Sequence, residues 1–375
     1  LKHVASALGS LRVLDFSRIL AGPFATMMLA DLGATVTKVE RPDRGDDTRS
    51  WGPPFDERGE ATYFQAVNRN KETLALDLGD PRDAAIARQI ALDSDVLVEN
   101  FRPGVMERYG LGYAELHGEN AGLIYCSITG FGRDGGAEVP GYDLLIQALG
   151  GLMSITGSPD GPPQKVGVAL VDVLAGLFAT VGILAALSHR ARTGEGQRVE
   201  VSLLSSLLAA LVNQGSAFTV AGEVPGRLGN DHPSIAPYGL MRCADVELVV
   251  AVGNDQQFAA FCEVLGESAL AADERFATNS ARVENRLELL ERLERPLSLR
   301  PAADWAAALV AARVPAGVVN DIPGAFRLAE QMGLDPVVAV KRPDGSAVAL
   351  TRNPIGLSAT PPEYRSAPPS MPARG

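Results

Sequence analysis

The sequence predicts an α/β protein: a large domain built on a mostly parallel sheet, and a smaller α+β domain after it. Three observations predict it. Short β-rich runs alternate with helical stretches through the first half of the chain. Strands separated by helices of that length pair in parallel, with helices covering both faces. The composition then shifts near residue 220, where the Gly- and Pro-rich stretch GEVPGRLGNDHPSIAPYG (222–239) reads as a long loop, and a hairpin pattern with amphipathic helices follows it. A chain of 375 residues also exceeds what one core ordinarily fills.

The elements follow in order. LRVLDFS (11–17) reads as a strand and GPFATMMLADLG (22–33) as a helix stopped by Gly33. ATVTKVE (34–40) is the next strand and ends in an acid. ETLALDL (72–78) and DVLVENF (95–101) are strands with the helix AAIARQIAL between them, and LIYCSITGFG (123–132) follows another helix. RTGEGQRVEVSLLSSLLAALVNQ gives a turn, a strand and a long apolar helix. YGLMRCADVELVVAVG is a hairpin turning at Ala244-Asp245, followed by three helices: DQQFAAFCEVLG, ENRLELLERLERPL and PAADWAAALVAARVP. VVAVKRPDGSAVAL (337–350) is a second hairpin with Pro-Asp-Gly at its turn. These readings divide the chain into a large domain (1–200), a linking helix and loop (201–239), a small α+β domain (240–325), and a segment returning to the large domain (326–375).

Charge and rare residues narrow the function. A formal net charge of −11 argues against nucleic acid as the main partner. Three widely spaced cysteines, Cys126, Cys243 and Cys262, give neither a disulfide framework nor a CxxC metal site. The four histidines, His3, His117, His189 and His232, lack zinc-site spacing, so no metal is expected. No basic-then-apolar signal peptide opens the chain, and a reducing cytoplasmic setting is expected. Val166 to Leu187 is long enough to cross a bilayer, but it carries Asp172 and is rich in Gly and Ala. A charge at bilayer depth is costly, so a buried core helix is expected, with VGVAL at its start extended.

The opening β-α-β pattern ends its second strand in an acid, as dinucleotide-binding units do. However, SRILAGPF stands where GxGxxG belongs, and without those glycines the backbone cannot approach a pyrophosphate in the usual way. Asp172 is the most informative residue. A carboxylate in an apolar stretch costs free energy unless it is paired or used. It can be a nucleophile or general base, or a helix cap or ion-pair partner, and its position alone leaves these open. Arg41, Arg102 and Arg108 fall just past strand ends, where open parallel sheets bind ligands. Guanidinium groups suit phosphates; solvated surface charge is the alternative for each.

Several motifs together resemble the class III CoA-transferases: LDFSRILAGPFATMMLADLGATVTKVERP, NRNKETLALDL, DVLVENFRPGVMERYGL, ITGFGRDG, GYDLLIQALGG, GVALVDVLAG and RTGEGQRVEVSLL. The group includes formyl-CoA and carnitine CoA-transferases, and its superfamily contains α-methylacyl-CoA racemase. The resemblance runs from about Leu11 to about Pro362. It implies two interlocked chains, each with a Rossmann-like large domain, and an active site between the large domain of one chain and the small domain of the other. It implies Asp172 as the nucleophile, forming an aspartyl-CoA intermediate. It implies CoA contacts at Leu20, Ala21, Arg41, Leu76, Asn100, Phe101, Arg102 and Arg108, and a Tyr142–Asp143 pair near the reacting centre. The partners implied are an acyl-CoA, a small carboxylic acid and a second copy of the chain, with the thioester as substrate and no further cofactor.

Two departures bear on substrate. Formyl-CoA transferase has a glutamine at the position of Leu20, and a mobile glycine run where this chain has Asn230–Gly239, with its prolines and His232. A larger acyl group than formate or oxalate is therefore expected. The rival activity, racemisation, needs a second acid–base group. The superfamily's racemases place a histidine thirty residues before the aspartate, and Tyr142 stands there instead. A free tyrosine titrates near about 10 and is a poor base at neutral pH. An inactive CoA-binding protein is the third reading, which a turnover assay separates.

Overall fold

The computed structural model describes residues 6–371, so His3 lies outside the described residues. Two compact units emerge among the described residues: 6–152, 165–223 and 335–371 form one, and 153–164 and 224–334 form the other.

The first unit is built on six parallel strands: β1 (Arg12–Asp15), β2 (Thr35–Glu40), β3 (Lys71–Ala75), β4 (Val96–Glu99), β5 (Ile124–Thr129) and β6 (Arg198–Ser202). Their order is β3-β2-β1-β4-β5-β6, with Val13 beside Val36 on one side and Val96 on the other. Alternation along each strand feeds two cores. Val13, Val96, Val98, Ile124 and Cys126 face a layer containing the Ala21–Asp31 and Leu170–Thr193 helices. Leu14, Leu97 and Tyr125 face a layer containing Ala87 and Ala91 of the Pro81–Leu92 helix. The first helix is apolar nearly all round because it is covered on both sides; only Phe24 escapes full burial.

The apolar stretch expected as a core helix is one. Helical structure begins at Leu170, and Val166–Ala169 form no regular element. The Leu170–Thr193 helix is long and apolar enough to cross a bilayer. Its Val171, Ala175, Ala179 and Ile183 are buried in the sheet core, while Leu177, Phe178 and Val181 are exposed.

The boundaries differ from those read in the sequence. The Leu203–Ala210 helix belongs to the parallel-sheet unit, because Leu203 and Leu207 bury against its core beside Ile146. Residues 153–164 group with the second unit instead. The C-terminal segment returns to the first unit from residue 335 as a hairpin, β10 (Val337–Lys341) and β11 (Ala347–Thr351). The guanidinium of Arg365 donates to the carbonyls of Ala30, Gly33 and Ala34, satisfying the end of the first helix.

The second unit pairs β7 (Tyr238–Arg242), β8 (Glu247–Ala251) and β9 (Ala316–Val318) in one antiparallel sheet. Leu248 and Val250 pack on Phe258, Phe261, Leu289, Leu293 and Trp305 of its helices. The third strand, β9, is too short to read in the sequence.

Candidate active site

In an open parallel sheet the ligand crevice lies where the strand order reverses, outside the carboxyl ends of the strands. Here that point is between β1 and β4. A cleft of about 360 Å³ opens there, walled by Arg18–Ala21 after β1, Asn100–Pro103 after β4, Gly130 and Gly132 after β5, and Tyr142 and Asp172. All of these residues belong to the parallel-sheet unit.

Asp172 is the third residue of the long helix. It makes no ion pair among the described residues, and the cleft is open to it. Burial pushes its carboxyl up to about 7, and the charge of Asp143 adds to the effect. The carboxylate is thus divided between its two protonation states near neutrality. The helix N-terminus favours the anion, while the apolar surroundings oppose it.

Asp143 has a different job from the one its neighbour Tyr142 suggests. One of its oxygens accepts the Val171 N–H at 2.8 Å, and the other accepts Gln147 Nε2 at 2.6 Å. The N-cap residue of the long helix, Ala169, has no side chain able to do this. Asp143 therefore caps that helix from outside and sets the position of the adjacent Asp172. Tyr142 lines the cleft and is 58% exposed.

Of the residues named from the sequence, Leu20, Ala21, Asn100, Phe101, Arg102, Tyr142 and Asp172 meet in this cleft. Four do not line it. Arg41 pairs instead with Asp47 at 2.6 Å, and Asp47 is in the cleft wall. Leu76 is buried in the hydrophobic cluster behind the sheet. Arg108 closes the short Val105–Arg108 helix, and Asp143 lies behind Asp172. In the second unit, His232 is engaged locally: its Nδ1 accepts the Ser234 N–H at 3.1 Å and its ring lies 5.2 Å from Tyr238.

Three features escaped the sequence reading. Arg18 enters the cleft wall with its guanidinium 4.8 Å over the Phe101 ring and, among the described residues, makes no ion pair. Burial and the neighbouring Arg41 charge both lower its affinity for a proton. Its place in SRIL, between strand and helix, was the available signal. Glu99, the acid of ENF, is buried, and burial pushes it up to about 7. It accepts the Phe101 N–H at 2.9 Å and so shapes the loop after β4. Gly176, one turn past Asp172, lets two helices touch: a Cβ there would fall 2.6 Å from the Ala21 carbonyl oxygen.

Comparison with known proteins gives the family. The model of CoA-transferase family III matches residues 8–374. The chain is 42% identical to a succinate–glutarate CoA-transferase of Agrobacterium fabrum, over 97% of this chain and 92% of that one. It is 41% identical to an acetyl-CoA:oxalate CoA-transferase of Acetobacter aceti, over 93% and 88%. It is 40% identical to a succinyl-CoA:mesaconate CoA-transferase of Haloarcula hispanica, over 95% and 91%. A solved CAIB/BAIF family protein from Brucella suis superposes with a TM-score of 0.86 at 42% identity, covering 98% of this chain and 97% of that one. The chain belongs to CoA-transferase family III and is an enzyme that transfers CoA between an acyl-CoA and a carboxylic acid.

Proposed function

We propose that transfer runs through covalent intermediates on Asp172, and that the acids exchanged are short dicarboxylates. The observation that carries the first part is an unpaired, half-buried carboxylate in the crevice at the sheet's switch point. Asp172 attacks the thioester carbonyl of the donor; the C–S bond breaks and CoA leaves as thiolate, giving a mixed anhydride. The thiolate attacks the aspartyl carbonyl, the donor acid leaves as carboxylate, and an aspartyl-CoA thioester remains. The acceptor carboxylate attacks that thioester, thiolate leaves again, and its return to the acceptor's acyl carbon frees Asp172. No proton is gained or lost over the cycle, and the thioester's free energy is kept. First-turn N–H groups at Leu20 and Ala21 face the carbonyl oxygen as it gains charge, a contact typically worth about 3 kcal/mol. The scheme uses no resident cofactor or metal.

Arg18, Arg102 and, through Asp47, the Arg41 corner supply the cationic side of the cleft for CoA phosphates. The dicarboxylate class is supported by the succinate, glutarate and mesaconate in two of the relatives' names; the third relative pairs acetyl-CoA with oxalate, an acid smaller than the sequence leads one to expect. A homodimer belongs to the same proposal. The exposed Leu177, Phe178, Val181, Leu208, Phe218 and Val220 give one unit an apolar surface suited to a second copy. Three buried free thiols suit a reducing, cytoplasmic setting.

Incubation with succinyl-CoA and hydroxylamine, followed by peptide mass spectrometry, is expected to show modified Asp172. Unmodified peptide together with full turnover by Asp172→Ala would overturn the nucleophile. A panel of acids tested as acceptors checks the substrate class, and light scattering at twice the chain mass checks the dimer.

A further inference from the structure

The most constrained backbone in the cleft is the loop between β1 and the first helix. Ile19 sits at φ +69°, a left-handed conformation that a β-branched side chain strongly resists. Side chains from three other segments hold it there. Lys38, on β2, donates from Nζ to the Ser17 carbonyl at 2.7 Å and lies 3.0 Å from the Asp46 carboxylate. Both side chains are fully buried. Asp46 accepts the Ile19 N–H on both oxygens, at 3.2 Å each, and also the Thr48 N–H and hydroxyl. Asn100 clamps the residue between: its Oδ1 accepts the Arg18 N–H at 2.9 Å and its Nδ2 donates to the Arg18 carbonyl at 2.8 Å.

The next two residues are Leu20, the N-cap, and Ala21, the start of the first helix, whose opening N–H groups have no intrahelical acceptor. A fully buried ion pair is a weak source of net stability. This one directs its hydrogen bonds at the backbone of a strained turn beside Asp172. We propose that Lys38 and Asp46 are positioning residues: their buried pair holds Ile19 left-handed and thereby aims the N–H groups of Leu20 and Ala21 at the oxygen that gains charge when a thioester is attacked. The inference rests on the aspartyl mechanism above.

The test is turnover by the whole enzyme carrying Asp46→Asn alone, or combined with Ile19→Gly or Ile19→Ala. Asparagine keeps one acceptor but loses the ion pair and the second bond to Ile19. The expected result is a fall in kcat of about tenfold or more, with KM for the acyl-CoA changed by less than about threefold. Glycine adopts positive φ unaided, so Ile19→Gly restores about fivefold of the lost kcat in the Asp46→Asn background and Ile19→Ala restores none. A structural role alone would not separate glycine from alanine. The proposal is overturned if Asp46→Asn stays within about twofold of the parent, or if glycine and alanine at position 19 behave alike. Should Asp46→Asn fail to fold, hydrogen exchange of the parent decides: the Arg18 and Ile19 N–H groups exchange slowly if the loop is clamped, and as fast as the exposed 57–59 turn if it is not. An Asp172 adduct in the parent, together with an indifferent Asp46→Asn variant, sinks this inference alone; no adduct in the parent sinks the mechanism beneath it.

Discussion

Replacing Asp172 by asparagine is expected to stabilise the protein, increasingly so as pH rises. Burial pushes this carboxyl from its ordinary 3.8 to about 7. Between those values the unfolded chain is ionised at residue 172 while the folded protein holds a proton. Folded stability therefore falls by about 1.4 kcal/mol per pH unit across that window, and the cost is complete above pH 7. The rise from 3.8 to about 7 sets a ceiling of about 4 kcal/mol at pH 8, and about 2 kcal/mol at pH 5. Asparagine cannot ionise and escapes the cost. Unfolding entropy scales with chain length, about 0.8 kcal/mol/K for 375 residues, so the melting temperature should rise by about 5 °C at pH 8 and about 2 °C at pH 5. Calorimetry of both proteins at matched concentration, from pH 5 to 8, measures this. A gain that is absent at pH 8, or that shrinks as pH rises, would refute the reasoning.

Three further outcomes follow from the same geometry. The logarithm of kcat/KM should climb with pH to about 7 and then level as Asp172 ionises; a flat profile from pH 5.5 to 8 would contradict it. Asp143→Asn keeps an acceptor for the Val171 N–H but removes the neighbouring charge, so the midpoint of that profile should move below 7; an unmoved midpoint would show that burial acts alone. Gly176→Ala places a Cβ against the Ala21 carbonyl and should cost about 1–3 kcal/mol of stability and more than about tenfold in kcat, read by thermal melts and steady-state assay.

The parallel sheet was legible because the inner strands are short, β-rich runs buried on both faces, and the longer helices between strands are long enough to be periodic. The strand order was not, since pairing β1 with β4 joins residues more than eighty positions apart. Helices such as Thr62–Ala66 and Val105–Arg108 are too short to show a period. Within the site, Asp172 announced itself as an acid in an apolar run. Asp143 did not reveal its role, because its partner, the Val171 N–H, lies 28 residues away and only the fold brings them together. Arg18 was passed over for a similar reason: the ring it covers, Phe101, belongs to a different loop. Leu76 rested on resemblance alone and Arg108 on resemblance and its place past a strand end, and the structure sets both outside the cleft wall.

Ionic strength should act on only one of the two charge pairs beside this cleft. Lys38 and Asp46 are shut off from solvent, so dissolved ions cannot reach between them. Arg41 and Asp47 are 33% and 45% exposed and lie within reach of the counter-ion atmosphere. Added electrolyte should therefore weaken capture of the polyanionic thioester at the rim while leaving turnover of the saturated enzyme almost untouched. Affinity would follow the medium, and chemistry would not.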